Sequence, residues 1–193
     1  WWNPMFISGY EFETPIPEIE GPIKDGRRTP VAAKPYPPTG YRTLDIRTFY
    51  WYGSFAVSPA MAMRLSGTGS QYLIATVDAN KAYFDGAKTY KVTLPENIPA
   101  RNFWSFTVYD NQTRSLLPTD QKLAGIDSTL PGVKMNEDGG VTIWFGPKAP
   151  SGHEHNWVQT MSGKGYNTAL RLYGPLEPWF NKTWRPGDLE KVE

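Results

Sequence analysis

Residues 103–109, FWSFTVY, are the most apolar short run in the chain, and this segment decides the fold class. Its aromatic and β-branched side chains favour a pleated, half-buried surface. Pro99 precedes the segment, and the turn formers Asp110 and Asn111 follow it directly. A short apolar run bounded in this way predicts a β-strand in the core of a sandwich.

Further predicted strands lie on both sides of this segment. Residues 88–94, KTYKVTL, alternate, so that Tyr90, Val92 and Leu94 share one face while lysine and threonine occupy the other. Asp85 with Gly86, and NEDGG at 136–140, are turn signals typical of hairpins. The remaining predicted strands are 71–77, 133–135, 141–145, 156–160 and 166–173.

The spacing of these strands predicts a mainly β protein, because no helical pattern separates them. We predict an antiparallel jelly-roll or β-sandwich domain over residues 67–193. A short helical segment at 43–66 precedes this domain in our prediction. An extended, proline-rich N-terminal arm at 1–42 comes first.

The two upstream segments are predicted from different signals. Within 43–66, Leu44, Arg47 and Trp51 recur at helical spacing, and Ser58 followed by proline is typical of a helix start. The arm carries 8 of the chain's 18 prolines, which excludes a regular helix or a central strand. Its aromatic residues predict docking on its own domain or on a partner. The alternative is a terminus without fixed structure.

The overall composition excludes several classes of protein. The chain has 193 residues with 20 basic and 19 acidic side chains, so its net charge of +1 argues against a nucleic-acid or anionic-lipid binder. The chain has no cysteine, which excludes disulfides, thiolate metal sites and a cysteine nucleophile. The sequence has no apolar run long enough to span a membrane, and nothing in it calls for a cofactor.

Ten short strings in the sequence carry a resemblance to a known family. In chain order they are GSQY at 69–72, DGAKTY at 85–90, LPENIP at 94–99, FWS at 103–105, YDNQTRS at 109–115, FGPKAP at 145–150, NW at 156–157, GKG at 163–165, LRLYGPLEPWF at 170–180 and WRP at 184–186. In this order they resemble the domain of unknown function 1214 family over about residues 43–193. The resemblance implies a jelly-roll domain preceded by a short helical region.

The resemblance also implies a place for this chain within a larger bacterial protein. Domains of this family form the C-terminal half of proteins whose N-terminal half is domain of unknown function 1254. The chain begins at Trp1 without a methionine, so we expect a fragment, a processed half or a subunit. The expected partner is a companion N-terminal domain or subunit that docks the arm, or a second copy in a homo-oligomer. The expected location is the periplasm or cell envelope.

The densest polar string, YDNQTRS at 109–115, is a candidate ligand site because it directly follows the most apolar strand. Asp110 is suited to acid or base chemistry, Arg114 to clamping an anion, and the amides of Asn111 and Gln112 to hydrogen bonding. The alternative is turn chemistry, in which Asp and Asn side chains bond the backbone and Arg114 pairs with a neighbouring carboxylate.

Tryptophan residues in the C-terminal third are a second candidate for ligand contact. Trp157, Trp179 and Trp184 would stack on a flat ligand such as a sugar ring if their faces are exposed. The alternative, which we favour for the C-terminal pair, is that these rings anchor the tail over the core.

The two histidines, His153 and His155, predict a polar surface loop rather than a metal site. Neither a third histidine nor a nearby downstream carboxylate completes a ligand set, so we predict no metal. GKG at 163–165 lacks the spacing of a phosphate-binding loop and predicts a hairpin turn.

Three classes of function follow from these features. The first is a ligand-binding or structural module of the cell envelope. The second is a hydrolase or lyase acting on a small or saccharide-like substrate, with Asp110 or Glu177 as acid or base. The third is an assembly module whose arm docks on a companion. We rank binding or structure first, because the sequence contains no recognisable catalytic constellation. Whether the protein is an enzyme stays open.

Overall fold

The computed structural model describes residues 65–192, together with Trp1 and two short strands near the N-terminus. These strands, β1 (Ile23–Lys24) and β2 (Arg27–Arg28), pair in antiparallel fashion. The chain divides into two compact units, Trp1–Leu65 and Ser66–Glu193. The rest of the predicted arm and nearly all of the predicted helical segment at 43–66 lie outside the described residues, so both stay predictions.

The second unit contains two four-stranded sheets. Its strands are β3 (Ser70–Ala75), β4 (Thr89–Leu94), β5 (Ala100–Asp110), β6 (Gly125–Asp127), β7 (Val141–Gly146), β8 (Trp157–Gln159), β9 (Tyr166–Pro175) and β10 (Glu190–Val192). The first sheet has the order β3-β9-β5-β6, and the second has the order β10-β4-β7-β8. A short helix, α1 (Glu177–Phe180), follows β9. This architecture confirms the mainly β class.

The core lies between the two sheets and follows the predicted alternation. Tyr90, Val92 and Leu94 of β4 are all at most 1% exposed, as the sequence predicts. Phe106 of the first sheet meets Phe145 of the second edge to face, with ring centroids 5.5 Å apart. Aromatic pairs in this arrangement add about 0.5–1.5 kcal/mol beyond the area they bury. Aromatic contacts between the two sheets therefore help to stabilise the sandwich.

Strand β9 fixes the register of the first sheet from its central position. It pairs with the whole length of β3, from Ser70 opposite Tyr173 to Ala75 opposite Thr168. On its other side it pairs with β5, whose last residue Asp110 lies opposite Tyr166. Leu170 and Leu172 point inward and are fully buried, so β9 also contributes to the core of the sandwich.

Three features of the sheets differ from the prediction. Strands β7 and β8 run parallel, because segment 147–156 carries the chain back along the sheet before β8 begins. Residues 133–135 form no strand, since the backbone of Lys134 is hydrogen-bonded by the side chain of Asn156. Strands β6 and β10 were not predicted, because each has only three residues and the exposed β10 lacks an apolar pattern. The jelly-roll connectivity stays a prediction.

Within residues 65–192, no helix is long and apolar enough to cross a membrane. The only α-helix described there, α1, has four residues and contributes Trp179 and Phe180 to the core.

Candidate ligand-binding cleft

An open cleft of about 360 Å³ lies on the outer face of the second sheet. Its floor comes from strands β4 and β7, and its walls come from segments 134–136 and 152–156. The lining residues are Lys91, Thr93, Lys134, Met135, Asn136, Thr142, Trp144, Gly152, His153, His155 and Asn156. The cleft therefore combines one large aromatic ring with hydroxyl, amide, ammonium and imidazole groups.

The alternation of β4 and β7 places the floor residues side by side. Lys91 lies opposite Trp144, and Thr93 lies opposite Thr142. The two threonine hydroxyls are hydrogen-bonded to each other at 3.0 Å. Because Val92 and Ile143 point into the core, their neighbours must point outward, and this periodicity builds the floor.

Trp144 is the central side chain of the cleft. Its ring lies 4.8 Å from the imidazole of His153, centroid to centroid, with the planes tilted by 31°. Its indole Nε1 is buried and has no hydrogen-bond partner in the described part of the chain. Buried indole N–H groups are usually paired, so this donor is an unusual feature of the site. On its other side, Trp144 lies opposite Trp157 of β8.

Asn156 fixes the wall of the cleft. Its Oδ1 accepts a hydrogen bond from the backbone N–H of Lys134 at 2.8 Å. Its Nδ2 donates to the carbonyl oxygens of Lys134 and Thr142 at 2.8 and 2.9 Å. The Asn156 side chain is buried whereas Lys134 is exposed, so these bonds are shielded from water only in part. Asn156 thus fastens segment 134–136 to the edge of the floor.

The cleft carries positive charge without a carboxylate in its lining. Lys91 forms only a long, exposed ion pair with Glu190, at 3.6 Å, and such pairs contribute little. Lys134 has no carboxylate within salt-bridge distance among the described residues. Lys134 is thus a cation that is not neutralised locally, and the exposed pair neutralises Lys91 only weakly. Such cations attract anions into a concave site. The cleft is therefore suited to a ligand that bears negative charge.

Glu154 lies between the two histidines and is not itself a lining residue of the cleft. Its Oε1 accepts a hydrogen bond from the backbone N–H of Gly152 at 3.0 Å. Hydrogen bonds from the backbone of Glu154 itself and of Gly152, followed by the neighbouring His155 and His153, hold the pKa of Glu154 below its usual value. No group of three metal-ligating side chains exists in the described residues.

The polar loop after β5 has the structure of a strand-end turn. Asp110 is 1% exposed, and its Oδ1 accepts hydrogen bonds from the backbone N–H groups of Gln112 at 2.7 Å and Thr113 at 3.4 Å. Its Oδ2 pairs with Lys164 Nζ at 2.6 Å. Asn111 accepts a hydrogen bond from Asn167 at 2.9 Å. The structure thus shows the turn chemistry that we stated as the alternative for Asp110.

The environment of Asp110 stabilises its charged form. Burial raises the pKa of Asp110, but the hydrogen bond from Lys164 and those from the backbone of Gln112 and Thr113 lower it by more, so it lies below its usual value. A carboxylate held this firmly is a weak base and a poor proton donor at neutral pH. Arg114 is exposed in the same loop and adopts a positive φ of 65°. Gln112 is exposed beside it.

The three predicted tryptophans occupy different environments. Trp157 is half-buried beside Trp144, and its Nε1 donates to the carbonyl of Gly146 at 2.9 Å. Trp179 and Trp184 are 1% and 6% exposed, in and after α1. These two rings anchor the tail over the core, as the alternative predicts, so neither is part of the candidate site.

Asp110 and Glu177 do not meet in one active site. Asp110 ends β5, whereas Glu177 follows the segment of β9 that pairs with Ala100 at the start of β5. Ten residue steps along a strand separate these ends by about 30 Å. A pair of carboxylates that shares one glycosidic bond lies within about 10 Å. The acid and base roles suggested for these residues therefore have no common site.

Sequence reasoning missed Trp144, Lys91 and Asn156. A signal existed for Trp144, because it alternates with Ile143 and Phe145 in the predicted strand 141–145 and must therefore face outward. No comparable signal existed for Asn156, whose partners Lys134 and Thr142 lie 22 and 14 residues away in the sequence.

The comparison with known families matches a segment that contains strands β3 to β9. A family model described as a protein of unknown function (DUF1214) matches residues 69–177, which is more than half of the chain. The chain belongs to the DUF1214 family. This match confirms the family suggested by the sequence strings, while the companion domain of unknown function 1254 stays a prediction. No curated protein is significantly similar to this DUF1214 chain.

Two solved structures resemble this DUF1214 protein. The VPA0106 protein from Vibrio parahaemolyticus is 18% identical with a TM-score of 0.60, over 79% of this chain and 35% of its own. An uncharacterized protein from Burkholderia cenocepacia is 17% identical with a TM-score of 0.43, over 68% of this chain and 32% of its own. This chain thus spans about a third of either protein. The first likeness supports the fold and nothing beyond it.

Proposed function

We propose that this protein is a binding module for a small, anionic, hydroxyl-bearing ligand held over Trp144. The single observation that carries the proposal is the composition of the cleft on the second sheet. It brings a flat aromatic ring, two lysines and several hydroxyl and amide groups together, with no carboxylate in its lining.

Each group in the cleft supplies one part of the recognition. The half-buried Trp144 ring, which has His153 against it, offers the apolar surface on which part of a sugar ring or another flat ligand packs. The hydroxyls of Thr93 and Thr142 bond each other, and Asn136 Nδ2 donates to Thr142 Oγ1 at 3.1 Å. The hydrogen-bonding capacity that these groups do not use on each other serves the hydroxyl groups of the ligand. Lys91 and Lys134 supply positive charge for a carboxylate or phosphate.

A binding role is better supported than hydrolysis or elimination. No carboxylate lines the cleft, and Asp110 is engaged in a turn and an ion pair elsewhere. Binding in the cell envelope, together with a companion N-terminal domain, is part of this proposal, because the family resemblance implies both.

The proposal is tested by calorimetric titration with glucuronate and, as a neutral comparison, glucose. We expect millimolar to micromolar affinity for glucuronate, weaker binding of glucose, and a loss of affinity as salt increases. Trp144→Ala and Lys134→Ala should each weaken glucuronate binding about tenfold or more, which corresponds to about 1.4 kcal/mol.

Two control variants separate the cleft from the rest of the surface. Lys122→Ala removes an exposed lysine outside the cleft and should leave glucuronate affinity unchanged. Trp157→Phe keeps a ring beside Trp144 and should have a small effect. Equal glucuronate affinity in the wild type, Trp144→Ala and Lys134→Ala would refute the proposal, as would the absence of any binding.

A further inference from the structure

A second open cavity, of about 460 Å³, adjoins the candidate cleft at the end of the sandwich. Its lining combines four polar side chains with apolar ones from the start of β5 and the turn before it. The lining residues are Glu96, Asn97, Ile98, Ala100, Asn102, Phe103, Trp104, Ser128, Met135 and Gly139. Met135 lines both cavities, so they are adjacent.

Met135 lies where the two cavities meet, and its apolar side chain is unusually exposed. It is 69% exposed, although it lies between two concave, partly aromatic surfaces. Methionine is flexible and adapts to irregular partners, which suits it to a binding surface. A ligand that runs from one cavity to the other would cover this side chain, and removing its apolar surface from water would favour binding.

The two cavities differ in charge. The first contains Lys91 and Lys134 and no carboxylate, whereas the second contains Glu96 and no lysine or arginine. An anionic unit is therefore favoured in the first cavity and repelled from the second. The amides of Asn97 and Asn102 in the second cavity suit a neutral unit with hydroxyl or amide groups.

Resting on the proposed function, we propose that the ligand is an acidic oligosaccharide that spans both cavities. Its uronate unit lies over Trp144, and the adjoining neutral sugar lies beyond Met135 against Asn102. Each cavity alone is near the lower end of the range of about 300–1,000 Å³ for ligand pockets, so a ligand of two or more units uses the available space better.

A bound peptide strand is disfavoured by the sheet topology. Peptides that add to a sheet pair with an exposed edge strand. The floor of the first cavity is formed by β4 and β7, and each of these strands already has a neighbour on both sides. Neither strand offers a free row of backbone groups, so recognition depends on side chains, as in saccharide binding.

The test compares a tetrasaccharide of alternating glucuronate and N-acetylglucosamine with glucuronate alone, by calorimetry on the full chain. We expect the tetrasaccharide to bind about tenfold or more tightly, because the second unit binds without a further loss of translational freedom. Asn102→Ala should remove most of this gain and leave glucuronate binding unchanged, because Asn102 lines only the second cavity. Met135→Ala should reduce the gain and also weaken glucuronate binding, because Met135 lines both cavities. Both side chains are exposed, so we expect both variants to fold.

The outcomes distinguish this inference from the proposed function. If glucuronate binds at Trp144 but the tetrasaccharide binds no more tightly, the two-cavity inference is wrong and the proposed function stands. The same holds if the tetrasaccharide binds more tightly but Met135→Ala and Asn102→Ala keep the gain. If neither sugar binds, or if Trp144→Ala binds both sugars with the affinity of the wild type, the proposed function itself is wrong.

Discussion

Replacing Asn156 tests whether one buried amide holds the wall of the cleft. In Asn156→Ala, the three hydrogen bonds to the backbone of Lys134 and Thr142 disappear. Net contributions of about 0.5–1.5 kcal/mol each give a total of about 1.5–4.5 kcal/mol. Because Lys134 is exposed, water replaces part of what its backbone loses. We therefore expect Asn156→Ala to lower the free energy of unfolding by about 2–3 kcal/mol.

Asn156→Asp adds a signature that depends on pH. The aspartate keeps the acceptor for Lys134 N–H but places its second oxygen against two carbonyl oxygens, so only the protonated form is compatible with them. The pKa of this carboxyl in the folded state should lie above its unfolded value of about 3.9. The variant is therefore least stable above the folded pKa and regains stability relative to the wild type as the pH falls through it.

Urea denaturation followed by tryptophan fluorescence measures both effects. A loss of 2–3 kcal/mol corresponds to a decrease in Tm of about 5–10 °C for a chain of this size. Hydrogen exchange should accelerate at residues 134–136, whereas exchange in β9 should change only with global stability. Asn80→Ala, in an exposed turn, serves as the control and should stay within about 0.5 kcal/mol of wild type. A stable Asn156→Ala, or an Asn156→Asp whose stability relative to wild type ignores pH, would contradict the reasoning.

Three further predictions concern buried groups outside the cleft. Tyr166→Phe should leave the free energy of unfolding unchanged or raise it by up to about 1 kcal/mol, since the buried hydroxyl of Tyr166 has no partner among the described residues. Tyr90→Phe is the comparison: it loses the hydrogen bond from Asp85 N–H, so the same urea denaturation should show a loss of about 1 kcal/mol. Asp110→Asn should cost about 1–2 kcal/mol at pH 7. Because the pKa of Asp110 is lowered on folding, wild type loses this stability as the pH falls below about 5. The free energies of unfolding of wild type and Asp110→Asn should therefore converge at acid pH. Gly86→Ala should prevent stable folding, because its Cβ would overlap the Met161 carbonyl oxygen. Circular dichroism at 25 °C should show the loss of folded structure.

The fold was largely predictable because its strands carry a clear local signal. Residues 88–94 alternate with a period of two, and 103–109 form a continuous apolar run, so both strands lie close to where the sequence predicts them. Strand β10 could not be predicted, since its charged residues gain their structure from pairing with β4. The parallel pairing of β7 and β8 depends on the path of a connecting segment, which local patterns do not encode.

The candidate site was less predictable, because polarity alone does not show what a polar residue is for. Asp110 and Arg114 lie in the densest polar string, yet Asp110 serves to close a turn and to pair with Lys164. Trp179 resembles an exposed ligand platform in sequence but fills the core. The cleft instead depends on Asn156 and Lys134, which only the folded chain brings together.

The connection between β7 and β8 has a consequence for how this family can diversify. Segment 147–156 joins two neighbouring parallel strands, and its second half also forms a wall above Trp144. Insertions near the exposed Ser151 and Gly152 would alter the height of that wall while both sheets and their buried rings stay intact. Under the proposed function, a change in this one stretch of backbone would alter the size of the ligand that the cleft admits without altering the sandwich.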